Sequence, residues 1–451
     1  MLSGWWKRLT QWAPTGDLQR LIAVRGMRSF VQGYVMVVFT IYLSEIGFSA
    51  WLIGLTLTIV GVSSSLLTLV IGVSSDRFGR RPFLIVYSLL LFASGIIFSL
   101  TTIPWILIGI SALGGLGRGG GGGGAAGAFA PDEQAMIAEK ASGDIRRKVF
   151  AANSVVGTGA AAIGALLAGI PEWLRSTNHL TLLASYRPLY LGVALAGLLS
   201  VVLLWPVSDV KHTSRPSKRS AAGQAQRRQT RQRIGQIAMA GAINGFGMGF
   251  IASLVPYWMH IRYGVSPGAI GPIMSISSAV TAFASLYAVR LAERFGDIMV
   301  ITGSRLAGVV LTLALPFSPV FMLAAVIYGA RMISSQMAMP VRQSYTMGII
   351  DAGSRGSAAG ISGVARRLPA SVSPTISGYW FDVGELELPF IATATCLFIN
   401  AALYFWWFHR IEPDEGVVRP VPAAASQGGV GSPRRRSASE QDPATANNPD
   451  G

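Results

Sequence analysis

Long runs of residues without a single acidic or basic side chain recur along this chain, and they set what it can fold into. They cover residues 46–75, 82–117, 149–171, 188–208, 234–259, 263–289, 306–330 and 388–408. Each is long enough for the roughly 20 apolar residues with which a helix crosses a bilayer, about 30 Å at 1.5 Å per residue. The run over 82–117 holds one full span and the start of another, divided at Thr101, Thr102, Ile103 and Pro104. With the shorter candidates, twelve spans are predicted: 26–46, 50–72, 82–101, 104–137, 148–170, 188–207, 234–260, 267–290, 298–315, 319–348, 357–380 and 387–408. A lipid-facing backbone must satisfy its own hydrogen bonds, and these lengths suit helices rather than barrel strands. Only 13% of the 451 residues are charged, against about 25% in an ordinary soluble domain. That scarcity excludes a disordered chain and a soluble enzyme. The single Cys396 excludes an intrachain disulfide and a cysteine metal cluster.

The basic residues orient the spans. With the N-terminus inside, Lys and Arg collect in the N-terminal segment, the 2–3 and 4–5 loops, the central linker and the C-terminal tail. Only Arg175, Arg187 and Arg262 fall outside. The net charge of +16 therefore reports membrane orientation rather than a nucleic-acid partner. Trp5, Trp6, Lys7 and Arg8 read as an interfacial anchor rather than a signal peptide. The expected organisation is an interfacial segment (1–20), a six-helix bundle (21–207), a basic linker (208–233), a second six-helix bundle (234–408) and a disordered tail (409–451). Both termini are expected in the cytoplasm, at the inner or plasma membrane.

An internal repeat supports the six-plus-six division. At an offset of 217 residues, Gly47, Ser49, Ile53 and Gly54 fall on Gly264, Ser266, Ile270 and Gly271. Arg77, Phe78 and Gly79 fall on Arg294, Phe295 and Gly296, with Asp76 opposite Glu293. At nearby offsets Arg118 meets Arg331, and Pro131 and Gln134 meet Pro340 and Gln343. Two similar halves are what a transporter with parallel repeats shows.

Gly72, Asp76, Arg77, Gly79, Arg80 and Arg81, followed by Pro82, lie in a segment that resembles the signature G-x-L-x-D-R-x-G-R-R/K of the major facilitator superfamily, with Ser74 in place of its Leu. A degenerate copy, with Glu293, Arg294 and Gly296, lies between spans 8 and 9. The resemblance covers roughly residues 20–410. It implies an all-α polytopic membrane protein whose 12 transmembrane helices form two pseudo-symmetric bundles, the MFS fold. It also implies gating roles for Asp76, Gly79 and Arg80, whose turn latches the halves on the cytoplasmic side in one state of the cycle, and places Arg118 where the family often has a basic residue tied to proton coupling. The family's span 5 antiporter motif is not matched over 157–171. On physical grounds the Asp76 carboxylate at the membrane edge needs a partner: Arg77, Arg80 or a helix end.

Arg118, Arg305, Arg331, Arg342, Arg366 and Arg367 lie within predicted spans. An Arg at the bilayer centre costs about 3 kcal/mol or more, so each needs a polar cavity or a partner. Arg331 and Arg342 are eleven residues apart, three turns plus about 20°, and so share a face of one helix, near Gln343 and Tyr345. Arg331 reads as a cavity residue or as half of a structural pair, and Arg342 as a gating or a snorkelling residue. Arg366 and Arg367 lie on adjacent faces. Arg25, Arg28 and Arg305 are expected to snorkel. Six glycines at 119–124 predict a weak point in span 4, unwound or packed on Gly157, Gly164 and Gly169 of span 5. Asp132 and Glu133, before Gln134, are the best carboxylates for proton coupling. Glu133 reads equally as a salt-bridge partner of Arg147 or Arg342, and Glu45 as a solvated loop charge or as part of an extracellular latch.

No phosphate loop, metal-ligand cluster or nucleophile–base pattern is visible, so no cofactor and no enzymatic activity are expected. The reading is a secondary active transporter of a small organic solute, anionic or polar, coupled to H+. The alternatives are a drug or metabolite efflux permease of the same fold, or a non-transporting membrane sensor or scaffold. The expected partners are the solute, H+ and the lipid bilayer, with no nucleic acid, and the chain is expected to act as a monomer.

Overall fold

The computed structural model describes residues 15–114, 129–141, 143–209, 224–348 and 355–408. In the first half, α1 (Gly16–Glu45), α2 (Ala50–Phe78), α3 (Arg81–Leu100), α4 (Pro104–Gly114), α5 (Phe129–Lys140), α6 (Gly143–Leu166), α7 (Ile170–Asn178) and α8 (Leu182–Leu204) follow one another. In the second are α9 (Gln224–Ile251), α10 (Val255–Tyr263), α11 (Pro267–Phe295), α12 (Asp297–Ala314), α13 (Phe321–Met337), α14 (Met339–Gly348), α15 (Arg355–Asp382) and α16 (Leu388–Phe408). Among the described residues, 8 helical stretches are long and apolar enough to cross a bilayer.

Several predicted spans are not single helices. Span 4 is helical on both sides of residues 115–128, and the glycine run and Arg118 lie outside the described residues. Span 5 tightens into a 3-10 turn at Leu167–Gly169 before α7, whose first turn carries Pro171. Span 7 breaks between Ile251 and Val255, with Pro256 in the first turn of α10. Span 10 breaks at Ala338, two residues before Pro340, a residue type that brings no amide hydrogen to a helix ladder. Arg331 and Arg342 therefore lie on different helices, and the single-face expectation fails.

Backbone conformation repeats where the sequence does. Ser49 and Ser266 are extended N-caps, at φ −65, ψ 158 and φ −77, ψ 160. Gly79 and Gly296 close α2 and α11 at φ 88, ψ 162 and φ 84, ψ 151. Gly47 and Gly264 precede the caps at φ 96 and φ 65. These positive φ values are strained for any residue with a side chain.

Small residues let the helices approach closely, the ordinary device of packing in lipid. A side-chain carbon on Gly33 of α1 would lie 2.1 Å from Ala161 O of α6, and one on Gly164 would lie 1.9 Å from Phe30 O. Gly157 packs on Arg25, and Gly169 on Gly268. Gly157 and Gly164 thus face α1, and Gly169 faces α11; the packing expected of the 119–124 glycines on them lies outside the described residues. In the second half, Gly245 and Gly249 of α9 meet Arg366 O and Ala370 O of α15.

The halves meet along two seams. On α2 and α15, a side-chain carbon on Gly54 would lie 2.2 Å from Pro374 O, and one on Gly378 would lie 2.2 Å from Ala50 O. Thr58 Oγ1 and Thr375 Oγ1 share a hydrogen bond of 2.6 Å. At the other seam, Gly271 of α11 meets Ala165 O of α6. These contacts lie toward the end of the bundle that carries Gly47 and Gly264, here termed the far end. Gly79 and Gly296 mark the motif end. Toward that end, Gly360 and Gly363 of α15 have no described residue within 4 Å of where a side chain would begin.

Candidate functional site

In the first half, charge is buried where α1, α2, α5 and α6 converge. Arg25 Nη1 of α1 lies 3.5 Å from Glu133 Oε2 of α5, and Glu133 is 0% exposed. Asn153 of α6 borders the same carboxylate. One turn along α1, the Arg28 guanidinium stacks 3.9 Å from the Phe129 ring centre, within electrostatic range of Glu133 and of Tyr87 on α3. Ser75 Oγ of α2 donates to Asp132 Oδ1 at 3.0 Å. Arg25 and Arg28 are buried and turned inward, so they do not snorkel: carboxylates and a ring draw them in. Glu133 pairs with Arg25, in the opposite half of the repeat from Arg342, and the side chain of Arg147 lies outside the described residues. Gln134 is exposed.

In the second half, Arg305 Nη1 of α12 donates to Asn244 Oδ1 of α9, and its guanidinium faces the Tyr404 ring of α16 at 5.8 Å. It too is held inside rather than snorkelling. Arg342 of α14 and Arg366 of α15 lie close enough to Arg305 to repel it, and Arg367 neighbours Arg366. Arg342 Nη2 contacts Met339 Sδ at 3.0 Å. Among the described residues, no carboxylate forms an ion pair with Arg305, Arg342 or Arg366. Arg331 sits apart on α13, 1% exposed, its guanidinium 5.5 Å from the Tyr328 ring centre and its Nη2 3.8 Å from Met332 Sδ. Its Nε and Nη1 have no hydrogen-bond partner among the described residues. Tyr345 is used structurally, donating its hydroxyl to Phe408 O at 3.1 Å. The side chain of Gln343 lies outside the described residues.

At the motif end, Gly72 lies within α2, Asp76 and Arg77 fall in its last turns, and Glu293 lies near the end of α11. The side chains of Asp76, Arg77 and Glu293 are outside the described residues. Gly79 lets the chain turn against Asp209, whose Oδ2 would lie 2.0 Å from a side-chain carbon placed there. Arg80 N donates to Asp209 Oδ1 at 3.2 Å, and its guanidinium pairs with Glu139 of α5. Arg81 donates to Trp205 O and faces its ring at 5.8 Å. Nearby, Lys140 bridges Asp17 and Ser208 at 2.7 Å each. Arg294 is exposed beside the Phe295 ring. Glu45 pairs with Arg175 at 3.1 Å instead of standing alone in a loop.

Sequence reasoning missed Asp209 and Glu139 as partners of the signature turn and Asn244 as the partner of Arg305. Two of the three carried a weak signal: Glu139 is an acid next to a helix end, and Asn244 an amide in an otherwise apolar span.

The family model for the Major Facilitator Superfamily matches residues 21–235 and 237–443. The chain belongs to the major facilitator superfamily. It is a polytopic membrane protein of a transporter family. Among curated relatives it is 21% identical over 418 residues to an uncharacterized membrane protein of Saccharomyces cerevisiae, covering 86% of this chain and 92% of that one. It is 23% identical over 401 residues to the multidrug resistance protein MdtH of an Enterobacter species, covering 84% and 90%. Among solved structures, the inward-open xylose transporter XylE from E. coli superposes with a TM-score of 0.65 at 16% identity, over 89% of this chain and 98% of that one. The nucleoside transporter NupG gives 0.65 at 14%, over 87% and 99%. At these identities the superpositions speak to the fold alone.

Proposed function

We propose that this superfamily member is an H+-coupled secondary active transporter of a small anionic organic solute. It works by rocking two six-helix halves, with both termini and the 208–233 linker on the cytoplasmic side of the cell membrane. The observation that carries the anionic reading is the cluster of Arg305, Arg342 and Arg366, three cations inside a membrane bundle with no carboxylate paired to them among the described residues. A cation at such depth needs a counter-charge, and a solute carboxylate or phosphate supplies one. The Arg25–Glu133 pair serves the proton: protonating Glu133 removes the attraction that holds Arg25 and frees α1 to shift against α5. Closed far-end seams, with no described residue within 4 Å of Gly360 and Gly363 of α15 at the motif end, support an inward-facing state under this orientation, and a D-xylose–proton symporter has the same fold.

The test starts with a thermal-shift screen of organic carboxylates and phosphates on purified protein. The expected result is that stabilising anions lose their effect in Arg366→Ala, and that reconstituted wild type accumulates them under an imposed pH gradient. Absence of gradient-driven flux for every stabilising anion overturns the coupling. A second reading, efflux of apolar drugs, rests on a groove of about 450 Å3 lined by Met27, Phe30, Tyr34, Leu189 and Leu195, and on the MdtH relatives. It is favoured if lipophilic cations are expelled from vesicles while no anion moves.

A further inference from the structure

The far end of the molecule carries a second set of charges that the signature turn does not touch. Asp382, the last residue of α15, reaches across the seam to the first turn of α2. Its Oδ1 accepts from Ala50 N at 2.8 Å and its Oδ2 from Trp51 N at 2.8 Å. Ser49, the cap of α2 itself, takes Leu52 N at 3.2 Å. The first amides of a helix have no partner within it and together carry about half a positive charge. Here the opposite half of the protein supplies the carboxylate that satisfies two of them.

The other seam repeats the arrangement. Ser266, the cap of α11, makes no side-chain hydrogen bond to its helix, and Pro267 brings no amide hydrogen to the first turn. Glu172 of α7 lies over that turn from the opposite half: a side-chain carbon on Gly268 would lie 2.8 Å from Glu172 Oε2. Thus α2 and α11, the repeat partners, each present their N-terminus to an acid belonging to the other half.

We propose that Asp382 is a latch that holds the far end of the transport pathway shut by capping α2 from the other half, with Glu172 as the weaker matching latch on α11. Because acid and amides belong to different halves, the contacts form only while the far end is closed, and opening must break them. Loss of the Asp382 carboxylate therefore shifts the protein toward far-end-open states. It does so without disturbing the hydrogen bonds inside either half. Glu172 meets a first turn that proline has deprived of an amide hydrogen, so it contributes less.

The inference rests on the alternating-access reading, but its readout uses no solute or proton gradient, so failure of the anion or coupling assignment leaves it standing. The experiment uses the full chain in lipid nanodiscs, with Cys396→Ser and Thr375→Cys placing one thiol inside the α2–α15 seam. The measurement is the rate of alkylation by a soluble maleimide. In Asp382→Ala and Asp382→Asn the rate is expected to rise about three- to tenfold over the parent, and in Asp382→Glu to stay within about twofold. Glu172→Gln is expected to raise it about twofold and to add to Asp382→Asn. Monodisperse elution and an unchanged Tm certify folding, and if Asp382→Ala does not fold, the isosteric Asp382→Asn decides. Parent-like rates in the folded neutral variants overturn the proposal, as does an Asp382→Glu protein as reactive as Asp382→Asn.

Discussion

At the residue scale, Glu133 and Arg25 form a buried ion pair whose value depends on both members being present. Removing one partner of such a pair strands the other charge and costs on the order of 3–5 kcal/mol, whereas replacing both by apolar groups costs far less. Arg25→Met alone should therefore lower Tm sharply, and Arg25→Met with Glu133→Leu should recover most of the loss in thermal unfolding of the purified protein. Glu133→Gln is expected to keep solute exchange between equal pools while losing accumulation against a pH gradient, a pair of flux assays that separates coupling from binding. Glu133 stood out in the sequence because it interrupts an apolar span. Its partner did not, since an Arg near the end of a predicted span reads as snorkelling whenever nothing says which helix lies beside it. The same gap hid Asn244 from Arg305. Depth in the membrane is legible from a sequence; the neighbour on the facing helix is not.

At the element scale, the turn after α2 shows why a glycine is needed there. Gly47 and Gly79 both have φ near +90, a conformation that costs a residue with a side chain about 1–2 kcal/mol. No described residue lies within 4 Å of where a side chain on Gly47 would begin, whereas the Asp209 carboxylate fills that place at Gly79. Gly79→Ala should therefore impair transport more than Gly47→Ala at equal membrane expression, because it also expels Asp209 from Arg80 N. The glycine and the arginines of this turn were visible in the sequence through the motif, but Asp209, at the head of the central linker, carried no pattern of its own. Helix continuity failed for a related reason. Pro340 was visible, yet the argument that Arg331 and Arg342 share a face needed an unbroken helix, and the break at Ala338 separates their surroundings.

At the scale of the whole molecule, the far-end seams decide which side of the pathway is sealed. Thr58→Cys with Thr375→Cys, built on side-chain oxygens 2.6 Å apart, should form a disulfide on mild oxidation. The oxidised protein should lose transport and regain it on reduction, as a flux assay before and after reductant would show. The fold was legible from charge-free runs and the repeat because a bilayer leaves a chain so few ways to satisfy its backbone. Which seam is closed depends on contacts between residues far apart in the chain, Thr58 with Thr375 at one seam and Ala165 with Gly271 at the other, and no local signal encodes that. One further consequence concerns length. Both α2 and α11 have 29 residues between their extended serine cap and their positive-φ glycine. Each is a ruler of about 43 Å that fixes the phase of the motif turn against the seam. Deleting one residue from either would rotate one end by about 100° relative to the other. Substitutions along these two helices leave that phase alone, whereas insertions and deletions within them turn the motif end against the far end.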